Sequence, residues 1–122
     1  MAKTILVVDD SASIRQVVGI ALRGAGYDVI EASDGQDALS KMTGQKISLI
    51  ISDVNMPNMD GITFLKNVKA HASYKFTPVI MLTTEAGQDK MAEGKAAGAK
   101  AWVVKPFQPP QMLDAVAKLV LP

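Results

Sequence analysis

Five strand-like runs, each followed by a helix-like stretch, leave this chain few folds to choose from. The runs cover 4–8, 28–32, 48–52, 78–82 and 101–104. Between the first two, Ser11 or Ser13 can cap a helix carrying Ile14, Val17, Val18, Ala21 and Leu22 on one face, with Gly24 and Gly26 at its end. Ser33-Asp34-Gly35 turns into a short helix with Ala38, Leu39 and Met42 inward, and Gly61 opens another with Ile62, Leu65 and Val68 at core spacing. A helix over 88–97 has Met91 as its one large apolar residue and Gly94 inside it, so it is expected to be the least firmly docked. Pro109-Pro110 start the last helix, with Leu113, Val116, Ala117 and Val120 aligned. Strands alternating with helices at this spacing imply right-handed crossovers and a parallel sheet covered on both faces.

The polar chemistry gathers where apolar runs stop. Leu49-Ile50-Ile51-Ser52 leads into Asp53 and then the turn formers Asn55-Met56-Pro57-Asn58-Met59-Asp60-Gly61. Ile5-Leu6-Val7-Val8 leads into Asp9-Asp10. Taken alone, an acid at either place reads equally well as a turn or helix-terminus residue. In an open parallel sheet, however, ligands bind beyond the carboxyl ends of the strands where the strand order reverses, so carboxylates at two neighbouring ends can share a crevice. Three acids in one crevice call for a cation.

Composition narrows the rest. With 122 residues, 48% hydrophobic and 20% charged, the chain suits one domain over 1–122 that buries about two thirds of its unfolded surface. A net charge of +1 without blocks of like charge argues against nucleic acid or an anionic membrane as partner. The chain has no cysteine, which removes disulfides and thiolate metal sites, and it shows neither a membrane-spanning apolar stretch nor a signal-peptide pattern. A cytoplasmic location is expected.

Asp9-Asp10 after the first strand, Asp53 after the third, Thr83 after the fourth and Lys105-Pro106-Phe107 after the fifth together resemble the receiver domains of two-component response regulators. Asn55 to Gly61 and Glu85, two places after Thr83, are most similar to the single-domain chemotaxis regulators of that family. The resemblance implies a flavodoxin-like (βα)5 fold, a doubly wound sheet of strand order 2-1-3-4-5 with no output domain. It also implies that Asp53 accepts a phosphoryl group from a histidine kinase, with Lys105 and Thr83 as further phosphate contacts. Mg2+ is the implied cofactor, held directly by Asp10, Asp53 and the Asn55 backbone carbonyl and by Asp9 through water. Thr83 and Trp102 are the implied switch pair, although the family usually carries Tyr or Phe where Trp102 stands. Asn55 and Glu85 are expected to tune loss of the phosphoryl group. The output is expected to be protein binding by a monomer, to a target such as a flagellar motor component, with no turnover of a separate substrate.

Other classes fit less well. A nucleotide- or flavin-binding protein would want a glycine- or hydroxyl-rich loop after the first strand, where Asp9-Asp10 repels phosphate. Mg2+-dependent phosphohydrolases with an aspartyl nucleophile carry it after the first strand with a second acid two residues on; Asp53-Val54-Asn55 lies on the third and lacks that acid. A receiver of another pathway, such as a phosphorelay shuttle, remains the nearest alternative, because fold and site do not name the partner.

Overall fold

The run Thr4–Val8, β1, lies at the centre of a parallel sheet. The computed structural model describes residues 3–83, 88–104 and 108–120. After β1 come α1 (Ala12–Gly24), β2 (Asp28–Ala32), α2 (Gly35–Lys41), β3 (Leu49–Ser52), α3 (Gly61–Ala70), β4 (Val79–Thr83), α4 (Gln88–Ala96), β5 (Ala101–Val104) and α5 (Pro109–Leu119). The strands pair in the order β2-β1-β3-β4-β5, every pair parallel, so the order reverses beside β1. Val8 stands level with Ala32 on one side and Ser52 on the other, which brings the carboxyl ends of β1 and β3 together. Among the described residues, no helix is long and apolar enough to cross a membrane.

Because successive side chains on a strand point to opposite faces, the central strands feed two separate cores. Leu6, Val8, Ile50, Val79 and Met81 pack with Ala38 of α2 and Phe64, Leu65 and Val68 of α3. Ile5, Val7, Leu49, Ile51, Ile80 and Leu82 pack with Val18 and Leu22 of α1 and Met112 and Val116 of α5. Each fully buried Leu, Ile or Phe contributes about 1.5–3 kcal/mol, so these layers dominate the stability of the fold.

The helix faces depart from expectation in detail. Val17 is 48% exposed, leaving Val18 and Leu22 as the anchors of α1. On α5 the buried pair is Met112 and Val116, while Ala117 faces outward. Leu113 and Val120 pack against the same core from its flank, so the helix is turned toward Met112 and away from Ala117. The α4 helix offers little apolar area: of residues 92–96 only Gly94 is buried.

Side chains close the helix starts. Ser11 Oγ accepts from the Ile14 N–H at 3.3 Å, Asp34 Oδ1 from the Asp37 N–H at 2.8 Å and Asp60 Oδ1 from the Thr63 N–H at 2.8 Å. Gly61 has a further reason to be glycine. A Cβ there would lie 1.9 Å from the Asp53 carbonyl oxygen, so only a bare Cα lets α3 start against the end of β3, where the Gly61 N–H donates to the Val54 carbonyl at 2.8 Å. The loop between them is pinned a second time: Asn58, in the left-handed region at φ 67°, donates from Nδ2 to Asp34 Oδ2 at 2.8 Å.

Asp34 therefore uses both oxygens. The Asp37 N–H and then the Asn58 amide hold its carboxyl below the ordinary value of 3.8, and the Ser33 N–H, followed by Lys41, does the same for Asp37. Folded values below unfolded ones mean that this stabilisation is complete above about pH 3.8 and is lost as pH falls through the lower folded values. Replacing Asp34 with Asn keeps a capping oxygen but removes the charge. Urea unfolding across acidic pH is expected to show a lower midpoint for Asp34→Asn than for wild type at neutral pH, and a shallower decline below it. Equal acid slopes would contradict this account.

Candidate acidic site at the carboxyl ends of β1 and β3

Asp9 extends the β1–β2 pairing by one bond, its N–H donating to the Ala32 carbonyl at 3.1 Å. Its side chain is buried, and Oδ1 accepts from the Ser11 N–H at 2.9 Å, so it serves the first turn of α1 as well as the crevice. Asp10, the next residue, is exposed. Asp53 extends the β3–β1 pairing in the same way, its N–H donating to the Val8 carbonyl at 2.9 Å. Asp53 as a whole is 7% exposed, and the Val54 N–H donates to its Oδ1 at 2.7 Å.

Asp9, Asp10 and Asp53 each offer a carboxylate oxygen, and these oxygens lie within 4.8 Å of one another. At that separation two unit charges repel by about 3–4 kcal/mol with an effective dielectric of about 20. Such a cluster could hold a hard cation: three carboxylate oxygens, with no sulfur or imidazole among them, match the donor preference of Mg2+ or Ca2+.

Only some of the other expected site residues are among those the structure describes. Asn55 is exposed in the loop two residues beyond Asp53, on the segment that Gly61 folds back. Thr83 ends β4 and pairs in register with Val104; its side chain lies outside the described residues, as do Glu85 and Lys105 with Pro106 and Phe107. Trp102 pairs with Met81, two rungs before Thr83–Val104 along the β4–β5 ladder, and it packs half-buried on the layer of α3. Beside it, between β5 and α5, runs a groove of about 420 Å3 lined by Lys100, Trp102, Gln111, Asp114, Lys118 and Leu119.

One residue near the site was not singled out from sequence. Arg15, on α1, donates from Nη1 to the Asp9 backbone carbonyl at 2.6 Å, and its Nε lies 3.5 Å from Glu31 Oε1 on β2. Its guanidinium thus ties the Asp9–Asp10 peptide to the neighbouring strand and places a positive charge beside the acids. The signal available was its place four residues after the capping Ser11, which puts it over the first turn of the helix and within reach of the β1 end.

These features coincide with a known family. The profile of the response regulator receiver domain matches residues 5–117. Protein PilG of Pseudomonas aeruginosa is 37% identical over 112 residues, covering 92% of this chain and 83% of PilG. Chemotaxis protein CheY1 of Helicobacter pylori is 38% identical over 119 residues, covering 96% of this chain and 95% of CheY1. The structure of the Vibrio cholerae chemotaxis protein CheY4 superposes with a TM-score of 0.93 at 49% identity, over 98% of this chain and 99% of CheY4. With its sheet order, its acidic crevice and relatives of this closeness, the chain belongs to the response regulator receiver domain family.

Proposed function

We propose that this receiver domain is a phosphorylation-activated switch of the chemotaxis type, in which Asp53 takes a phosphoryl group from a histidine kinase. The observation that carries this reading is the meeting of Asp9, Asp10 and Asp53 at the point where the strand order reverses. Asp53 is taken as the acceptor by its match to the family's acceptor position after the third strand; Asp9 and Asp53 are both buried and each accept one backbone N–H, while Asp10 sits at the exposed rim.

In the transfer, a carboxylate oxygen of Asp53 forms a bond to phosphorus while the N–P bond of the kinase phosphohistidine breaks and the imidazole leaves with its electron pair. Asp10, Asp53 and the Asn55 carbonyl would hold Mg2+ directly and Asp9 through water. When bound, the ion supplies charge neutralisation for the phosphoryl oxygens. Lys105 would pair with a phosphoryl oxygen, and Thr83 would donate its hydroxyl to another. Asn55 and Glu85 would border the approach of the hydrolytic water and keep the phosphorylated state short-lived. Both reactions are self-reactions, so nothing is turned over. Output would pass by protein binding, with a motor component or similar target docking on the side of β5 once Thr83 and Trp102 respond. The unit acts as a monomer spanning 1–122.

Mass spectrometry after incubation with a small phosphodonor tests the acceptor. Wild type gains one phosphoryl group only with Mg2+ present, and Asp53→Asn gains none; an equal gain in the variant, or one indifferent to chelator, rules the assignment out. The Arg15 clamp has its own measurement. Because residues behind the ligands commonly change metal affinity by about 10–100-fold, Arg15→Met is expected to weaken Mg2+ binding about tenfold by titration calorimetry, and Arg15→Lys less. Unchanged Mg2+ affinity in Arg15→Met would leave the clamp structural only. For the switch, a phosphate mimic with Mg2+ should alter the access of a collisional quencher to Trp102, and Thr83→Ala should blunt the change; identical quenching with and without the mimic would end the pairing of these two residues.

A further inference from the structure

We infer that Gly94 is a socket for the indole of Trp102, a positioning residue on α4 that sets how deep the ring lies and makes helix and ring move together. Glycine in a helix interior is a poor choice on backbone grounds, since alanine loses less entropy and favours the helix. Gly94 is nevertheless the one buried residue among the described residues 92–96 of a short helix with few apolar side chains. The reason lies across the interface. A Cβ built on Gly94 would stand 2.6 Å from Trp102 Cζ3 and 3.2 Å from Cε3, with Ile62 Cδ1 at 3.5 Å. Those indole atoms belong to a rigid ring rather than the end of a flexible chain, so a methyl group there must displace the ring or push the helix outward.

Ile62 gives the socket its other wall and its link to the acidic site. It follows Gly61, whose Cα is packed against the Asp53 carbonyl and whose N–H is bonded to Val54. The path from Asp53 to the indole therefore runs through one turn of α3, with no loop between. The Lys66–Glu93 ion pair, 3.8 Å long, ties α3 to α4 next to the same point, although as an exposed pair it adds little. The socket also accounts for the aromatic at 102 being tryptophan: the glycine supplies the volume that the second ring of the indole takes up.

The test needs neither metal nor phosphate mimic, so its outcome is separate from that of the phosphoryl-transfer reading. In Gly94→Ala, quencher access to Trp102 is expected to rise about twofold or more, since overfilling drives a ring out of its rotamer or its neighbour out of place. The melting temperature is expected to fall, against the helix preference of alanine. In a Trp102→Ala background the same change should raise the melting temperature. The inference is overturned by unchanged quencher access, or by a change in melting temperature of the same sign in both backgrounds. Should Gly94→Ala fail to fold, a folded Gly94→Ala/Trp102→Ala double variant supports the socket, and an unfolded one overturns it by showing that the helix itself requires glycine.

Discussion

Three carboxylates whose oxygens lie within 4.8 Å repel one another strongly, and much of the surrounding backbone is arranged so that they cannot move apart. Asp9 and Asp53 are each fastened through their own N–H groups to adjacent strands, to the Ala32 and Val8 carbonyls. The peptide between Asp9 and Asp10 is gripped from behind by Arg15. The loop after Asp53 is shut by the Gly61 N–H and anchored by Asn58 on Asp34. Relaxation by local loop movement is thereby blocked, so the repulsion is available to be relieved by a cation. This is preorganisation in the usual physical sense: the cost is carried by folding, and it is carried by the two apolar layers that stabilise the sheet.

What the sequence disclosed and what it hid follow from range. Asp9, Asp10 and Asp53 stood out because they follow two apolar runs whose ends a parallel sheet can bring together, although each alone could have been a turn or helix-terminus acid. The strand ends themselves were nearly all legible, since continuous apolar runs must be covered on both faces; Pro78, without an N–H to give, starts β4 one residue late, while its carbonyl still accepts from the Ile50 N–H. Helix faces were harder. Adjacent positions on a helix differ by about 100°, so of the stripe read as Leu113, Val116, Ala117 and Val120, Val116 is buried and Leu113 and Val120 pack against the core, while Ala117 falls outside it and Met112 takes the deepest place. Arg15 went unmarked because its partners, Asp9 just past β1 and Glu31 on β2, come from two different parts of the chain. Asn58 and Asp34 are 24 residues apart, and nothing local in either announces the other.

Gly94 shows the same limit in a different form. A glycine inside a helix reads locally as weakness, and only the position of Trp102, on a strand that folds back beside α4, turns that weakness into shape. The helix gives up intrinsic stability of about 0.5–1 kcal/mol relative to alanine. What it gains is direct contact between its backbone and a large ring, and a helix held this lightly elsewhere is one whose position a modest force can change.

The size of that force bears on how such a switch can work. Moving a population from 1:99 to 99:1 takes about 5.5 kcal/mol of differential affinity. A hydroxyl donating to a charged phosphoryl oxygen, as proposed for Thr83, supplies about 1.5–3 kcal/mol. One hydrogen bond therefore leaves a large part of the population unswitched, and a complete response needs a second contribution of similar size. Sinking an indole from half-buried to buried is of that order, about 25 cal/mol for each Å2 of apolar surface removed from water. That second contribution can only add to the first if ring and helix respond as one body. If they moved independently, the ring could bury itself while α4 stayed where it was, and no altered surface would reach a partner. A backbone set directly against the indole removes that independence, which is why a glycine on the plainest helix of the fold bears on the output of a site built on different strands.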